Sequence, residues 1–128
     1  MVRLAGCVII DAKARLLLLH RNTAAHKHWE IPGGKIEKGE SATDAAVREL
    51  TEELGVKVKI VKRLGSKDFK DGGKKFDYTW FSAEIIEGTP TILEPELFDD
   101  VRYFSGQELR QAKDLSINVQ NFLAMLYP

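Results

Sequence analysis

Gly34–Val56 reads GKIEKGESATDAAVRELTEELGV, and this run decides how the whole chain is read. Between Ser41 and Gly55 it holds neither glycine nor proline, it is rich in alanine, and Val47, Leu50 and Leu54 recur at i, i+3 and i+7. That pattern predicts an amphipathic helix over about residues 42–54. Ser41 with Asp44 predicts its N-terminal cap and Gly55 its C-terminal cap. At about 100° per residue, Glu49, Glu52 and Glu53 fall opposite the Val47, Leu50 and Leu54 stripe, so three carboxylates are expected to point away from the core.

Such a cluster repels itself, at a few tenths of a kcal/mol for each like pair, roughly, at i, i+3 or i, i+4 spacing. Arg48, four residues before Glu52, is expected to pair with it and to lower its proton affinity. A divalent cation would offset far more, and ligands that are all oxygen suit Mg²⁺ or Mn²⁺. On their own, neighbouring glutamates usually form a solvated helix face. The surrounding frame of Gly34, Glu40, Arg48 and Gly55 tips the reading towards chemistry. Just upstream, Gly33 and Gly34 follow Trp29, Glu30, Ile31 and Pro32. Two glycines after a proline make either an ordinary turn or a loop where backbone approaches a ligand.

From Gly34 through Glu40, Arg48, Glu49, Leu50, Glu52 and Glu53 to Gly55 and Val56, the spacing is similar, position for position, to the Nudix hydrolase signature. The resemblance implies an α/β/α sandwich with a central mixed β-sheet, formed by one domain over residues 1–128. It implies metal-assisted hydrolysis of a diphosphate linkage, with Glu49, Glu52 and Glu53 holding Mg²⁺, or Mn²⁺, together with the backbone carbonyl of Gly33. Gly34, Glu40 and Gly55 then serve the architecture, Glu40 by supporting the loop and the start of the helix. Related enzymes place the general base either on the helix or on a later loop. Glu53 is the first candidate, with Glu52 and Arg48 beside it. Of the later acids Glu94, Glu96, Asp99 and Asp100, Asp100 is the best placed, three residues before Tyr103 as in a loop glutamate of MutT-type enzymes. Acids in such a loop are ordinarily just exposed.

The likeness to MutT-type nucleoside triphosphate pyrophosphohydrolases extends along nearly the whole chain, through the stretch Trp29–Glu37 and Arg21 at the end of the second predicted strand. It implies a nucleoside triphosphate substrate, favouring an oxidised purine of the 8-oxo-dGTP kind, cleaved to nucleoside monophosphate and pyrophosphate. Arg21 and Glu30 become candidates for substrate contact, Arg21 being alternatively a surface charge. Asn118 aligns with an asparagine that reads the oxidised purine, or else caps the last helix; an amide both donates and accepts, as a purine edge requires. Asp99 and Asp100 resemble paired aspartates that read the base in animal oxidised-purine triphosphatases, a reading that competes with Asp100 as a base. ADP-ribose, a dinucleoside polyphosphate or a nucleotide sugar remain alternative substrates. A silent nucleotide sensor is the rival outside catalysis, although no signature glutamate is missing.

The remaining sequence agrees with a small nucleotide enzyme. Its 128 residues, 44% hydrophobic, suffice for one core. Lysine plus arginine equal aspartate plus glutamate at 19 each, which gives no global electrostatic case for a nucleic-acid polymer or a membrane. The single cysteine, Cys7, lies in an apolar run and is expected to be buried in the core of a cytoplasmic protein. His20, His26 and His28 fit no zinc spacing and receive no role. A homodimer is compatible with the sequence, which does not specify one.

Strands are expected near 3–10 and 15–21, from Val56 to Lys70 with a kink at Gly65, from Phe76 to Ile86, and over 101–104. Asp71, Gly72 and Gly73 should form a hairpin turn. Phe76, Tyr78 and Trp80 should pack on the sheet, and a last helix should run from about 117 to 126.

Overall fold

The computed structural model describes residues 1–126. Its elements are β1 (Val2–Val8), β2 (Leu16–Asn22), β3 (Lys27–Glu30), β4 (Gly33–Lys35), α1 (Ala42–Leu54), β5 (Lys57–Asp71), β6 (Lys74–Glu87), β7 (Phe98–Phe104), α2 (Gly106–Gln111) and α3 (Ile117–Leu126). Four strands lie in the order β4-β1-β6-β5, and three more in the order β3-β2-β7. The β1–β6 pair is parallel and every other ladder antiparallel, so the sheet layer is mixed. The two ladders meet where the Leu17 amide donates to the Ile9 carbonyl at 3.0 Å.

The leucine run of β2 shows why helices cover both faces. Leu16, Leu17, Leu18 and Leu19 are all buried, which a strand manages only when both its sides are covered. Leu17 and Leu19 join Ala5, Cys7, Leu50 and Leu54 in the core beneath α1. Leu16 and Leu18 join Tyr78, Trp80, Val119 and Phe122 in the core beneath α3. Cys7 is indeed a core residue, its thiol pushed up to about 12 by burial. The aromatics Tyr78 and Trp80 pack as expected.

Helix α1 begins where Ser41 Oγ accepts from the Asp44 amide at 3.1 Å. It ends at Gly55, whose φ of 68° is left-handed and whose amide closes on the Thr51 carbonyl. The loop between β6 and β7 docks on the same end: the Thr91 amide donates to the Leu54 carbonyl and the Leu93 amide to the Glu53 carbonyl. Carbonyls left over at a helix C-terminus need such donors. The long β5–β6 hairpin closes through Gly72 and Gly73, at φ 58° and 79°, the two-residue turn that demands left-handed backbone twice. Its register shifts between Arg63 and Gly65, where a bend was expected.

Three elements differ from the sequence expectation. Lys27–Glu30 and Gly33–Lys35 are strands, each too short for alternation to register. Helix α2 was not expected either. It buries no side chain and so carries no apolar period, although the Ser105 and Glu108 capping box was there to find. No helix among the described residues is long and apolar enough to cross a membrane.

Candidate active site

The buried face of α1 consists of Ala45, Ala46, Leu50, Glu53 and Leu54. Glu53 is only 3% exposed, which corrects the expectation that all three glutamates turn away from the core. Seven residues from Ala46, it lies within about 20° of that residue around the helix, while Val47, taken for core, is only partly buried. The small Ala45 and Ala46 set the true inner face, and the longer Glu53 reaches from it towards β4. There its Oε1 accepts the Gly33 amide at 2.9 Å. Burial pushes the Glu53 carboxyl well above its ordinary value, and the charges of Glu30 and Glu49 add to this, against the Gly33 amide and Arg21.

Glu49 and Glu52 lie further out, and Arg48 ties them to the loop. The Arg48 fork grips Glu40, Nε to Oε2 at 2.7 Å and Nη2 to Oε1 at 2.9 Å. Nη1 reaches Glu49 at 3.1 Å and Glu52 at 3.2 Å, and Nη2 also donates to the Lys35 carbonyl. The expected Arg48–Glu52 pair is therefore present, but second to Glu40, since a planar fork meets a carboxylate best with two parallel bonds. Glu40 also accepts the Glu37 amide, and with Arg48 this holds its carboxyl down at about 2. Opposite, Gly34 leaves room for Glu49: a Cβ there would stand 2.5 Å from the Glu49 carboxyl carbon. Burial raises the Glu49 carboxyl, opposed by Arg48 and reinforced by Glu52 and Glu94.

These groups suit a hard divalent cation. Glu40 takes most of the Arg48 fork and Glu30 takes Arg21, so Glu49 and Glu52 share one Arg48 nitrogen and Glu53 has no ion-pair partner among the described residues. Their donors are all carboxylate oxygen, the chemistry of Mg²⁺ and Mn²⁺. Among the described residues no three such groups already converge on one point; Arg48 Nη1 bridges Glu49 and Glu52 instead.

Beside this cluster opens a cleft of about 420 Å³, lined by Arg21, Glu30, Phe69, Phe76 and Asn118 among others. Arg21 clamps the buried Glu30 through two bonds of 3.0 and 2.9 Å and lies over the Phe98 ring. Burial opposes the Glu30 charge, but His28 and Arg21 together hold its carboxyl below the ordinary value. Glu53 lies within electrostatic reach of both Arg21 and Glu30, so this pair joins cleft to cluster. The Ser116 hydroxyl donates to the Asn118 Oδ1, while the Tyr78 hydroxyl faces the Ile31 carbonyl at 3.4 Å. The cap-like contact at the helix start belongs to Ser116, whose hydroxyl faces the Val119 amide.

Asp99 and Asp100 do not act as a pair in the structure. A register shift in β7 pairs His20 with Asp100 and Arg21 with Phe98. Asp99, left between them, binds His20 at 2.6 Å and Asn22 at 3.0 Å, and Asp100 accepts the Val101 amide. Neither lines the cleft. Glu94 is the loop acid that acts on Glu49 and Arg21. The sequence ranks it below Asp100 as a candidate, because hydrogen bonds between loop and helix end, not spacing from Tyr103, position it. His28 and His26 also line the cleft; the sequence offered only a histidine pair without a metal motif.

The chain belongs to the Nudix hydrolase family, whose NUDIX domain model matches residues 2–126. Within the family, it is 35% identical over 95 residues to the oxidized purine nucleoside triphosphate hydrolase of Mus musculus, covering 72% of this chain and 61% of that protein. It is 34% identical over 61 residues to a putative 8-oxo-dGTP diphosphatase of Bacillus subtilis, covering 48% and 40%. The chain thus spans less than two thirds of the length of these curated relatives. Among solved structures, a MutT Nudix hydrolase from Burkholderia pseudomallei superposes with a TM-score of 0.86 at 25% identity, over 98% of this chain and 97% of that one. A MutT protein from Methanosarcina mazei shares the fold, with a TM-score of 0.84 at 21% identity over 96% and 90%.

Proposed function

We propose that the chain hydrolyses nucleoside triphosphates to nucleoside monophosphate and pyrophosphate with Mg²⁺ as cofactor, and that an oxidised purine nucleotide such as 8-oxo-dGTP is preferred. The observation that carries this reading is the junction of Glu53, the Gly33 amide and the Arg21–Glu30 pair, which sets a carboxylate cluster against the end of a nucleotide-sized cleft. The names of the mouse and Bacillus relatives support the substrate.

Glu49, Glu52 and Glu53, with the Gly33 carbonyl, are the groups that would hold the cation. When bound, a divalent ion neutralises phosphate charge and makes water a stronger nucleophile. Gly34 keeps the Glu49 carboxylate in place, and Glu40 anchors Arg48 so that its outer nitrogen faces Glu49 and Glu52. Glu53 Oε1 is held by the Gly33 amide, leaving Oε2 to take the proton from the attacking water. A raised carboxyl suits that task, because a general base works best with an affinity for protons near the working pH. The water oxygen bonds to phosphorus, the anhydride P–O bond breaks, and pyrophosphate leaves. Asn118 and Arg21 bind the nucleotide in the cleft.

A hydrolysis screen tests this, run with Mg²⁺ on unmodified and oxidised nucleoside triphosphates, ADP-ribose and dinucleoside polyphosphates, with pyrophosphate resolved from phosphate. Pyrophosphate release that favours an oxidised purine, abolished in Glu53→Gln, is expected. Preference for another diphosphate would discard the substrate and keep the chemistry. No turnover on any of them would leave a nucleotide sensor.

A further inference from the structure

The cleft has two carboxylates in its lining, Glu30 and Asp71, and they differ in what they have left to offer. Glu30 is buried, with Oε1 bound to Arg21 and Oε2 to both Arg21 and His28. Asp71 ends β5 at the tip of the long hairpin, with its side chain 41% exposed. Its Oδ2 meets His26 Nε2 at 3.2 Å, and Oδ1 has no partner among the described residues. Residues two apart on a strand share a face, so Asp71 stands on the side of Phe69, whose ring stacks on Phe76 at 5.1 Å and 13° in the cleft wall. A planar apolar surface thus ends at a carboxylate with an open acceptor. The other polar group considered for base contact, Asn118, already has its Oδ1 engaged by the Ser116 hydroxyl.

A carboxylate accepts and does not donate when ionised. The base edge it matches best offers two adjacent donors, which its two oxygens can take in parallel. Guanine-type purines present that pair, the ring N1–H beside the 2-amino group. The adenine and cytosine edges set a donor beside an acceptor, and the uracil or thymine N3–H lies between two carbonyls. We infer that Asp71, oriented by His26 from across the cleft mouth, reads the N1–H and 2-amino edge of a guanine-type base and is a specificity residue of this site. The inference rests on the nucleotide reading of the cleft proposed above. It moves recognition to the hairpin tip and away from Asp99 and Asp100 on β7.

The test separates binding from turnover. dGMP and dIMP differ only in the 2-amino group, and their affinities for wild type, Asp71→Ala and Asp71→Asn are measured by calorimetry without metal. Wild type should prefer dGMP by about tenfold or more, as expected for a lost hydrogen bond to a charged group. Asp71→Ala should bind the two within about twofold, Asp71→Asn, which keeps one acceptor, should fall between, and melting should be unchanged in both variants. A preference that survives in Asp71→Ala overturns the inference, as does wild type that binds both ligands equally or neither. Selective dGMP binding that depends on Asp71, in a protein that hydrolyses no triphosphate, would instead sink the proposed activity and leave the Asp71 assignment standing.

Discussion

The two ends of the site are built in different ways. The carboxylate end comes from residues 33–53, a strand and the helix after it, so its groups lie a few residues apart and their geometry follows from helix periodicity and one tight loop. The cleft end draws Arg21 from β2, Glu30 and His28 from β3, Phe69 and Asp71 from β5, Phe76 from β6, and Asn118 from α3. Its geometry exists only once the sandwich has closed. Chemistry in this chain is therefore written locally and recognition is written in the tertiary fold, which lets the second vary while the first stays fixed.

Substitutions can break or sharpen that contrast. The largest effect should come from Glu53→Gln, which keeps an oxygen for the Gly33 amide but removes the charge. Turnover should fall by about 10²–10⁴-fold. The same change should raise metal-free melting at neutral pH. The Glu53 carboxyl lies above its ordinary 4.5 in the folded protein, so wild type loses stability as pH climbs from the unfolded towards the folded value. The advantage of the variant should vanish in acid, below the unfolded value, where the wild-type carboxyl is protonated in both states. A lower melting temperature at neutral pH would contradict a strained buried charge.

Next comes Arg21→Ala, which leaves the Glu30 carboxylate buried with His28 as its partner. Destabilisation of about 3 kcal/mol is expected in urea unfolding, because this pair belongs to the tertiary end and holds β2 to β3. Loss of activity without loss of stability would show instead that Arg21 serves substrate alone. Asn118→Ala should be milder, raising KM about tenfold at nearly constant kcat for one hydrogen bond removed. The smallest effect should be that of Asp100→Asn, within about twofold of wild type for an exposed group that does not line the cleft. Glu94→Gln should cost more, and steady-state kinetics that reverse this order would return the loop role to Asp100.

The same contrast explains what could be read from the sequence. The α1 span, its caps at Ser41 and Gly55, the Arg48–Glu52 pair and the cover on both faces of the sheet all follow from periodicity and spacing, and the structure has them. The inward turn of Glu53 escaped because Ala45 and Ala46 do not look like a core stripe, though their small size is what brings the helix close. Asp99 and Asp100 read as a pair through their resemblance to the paired aspartates of animal oxidised-purine triphosphatases. A register shift gives them separate partners, and no period in the sequence announces a shift of one residue. Asp71 looked like turn chemistry alone, since the sequence shows the length of the hairpin but not which surface its tip faces.

The grip of Arg48 on Glu40, Glu49 and Glu52 has a consequence for how the protein would meet its metal. A chain that supplies an internal counter-charge can fold before any ion arrives, so folding and loading are separate events. If Glu49 and Glu52 hold the ion, they would exchange their contact with one Arg48 nitrogen for it, while Glu40 would keep the rest of the fork. Affinity then reflects the difference between two cations competing for the same oxygens, and occupancy would follow the free metal concentration instead of being fixed when the chain is made.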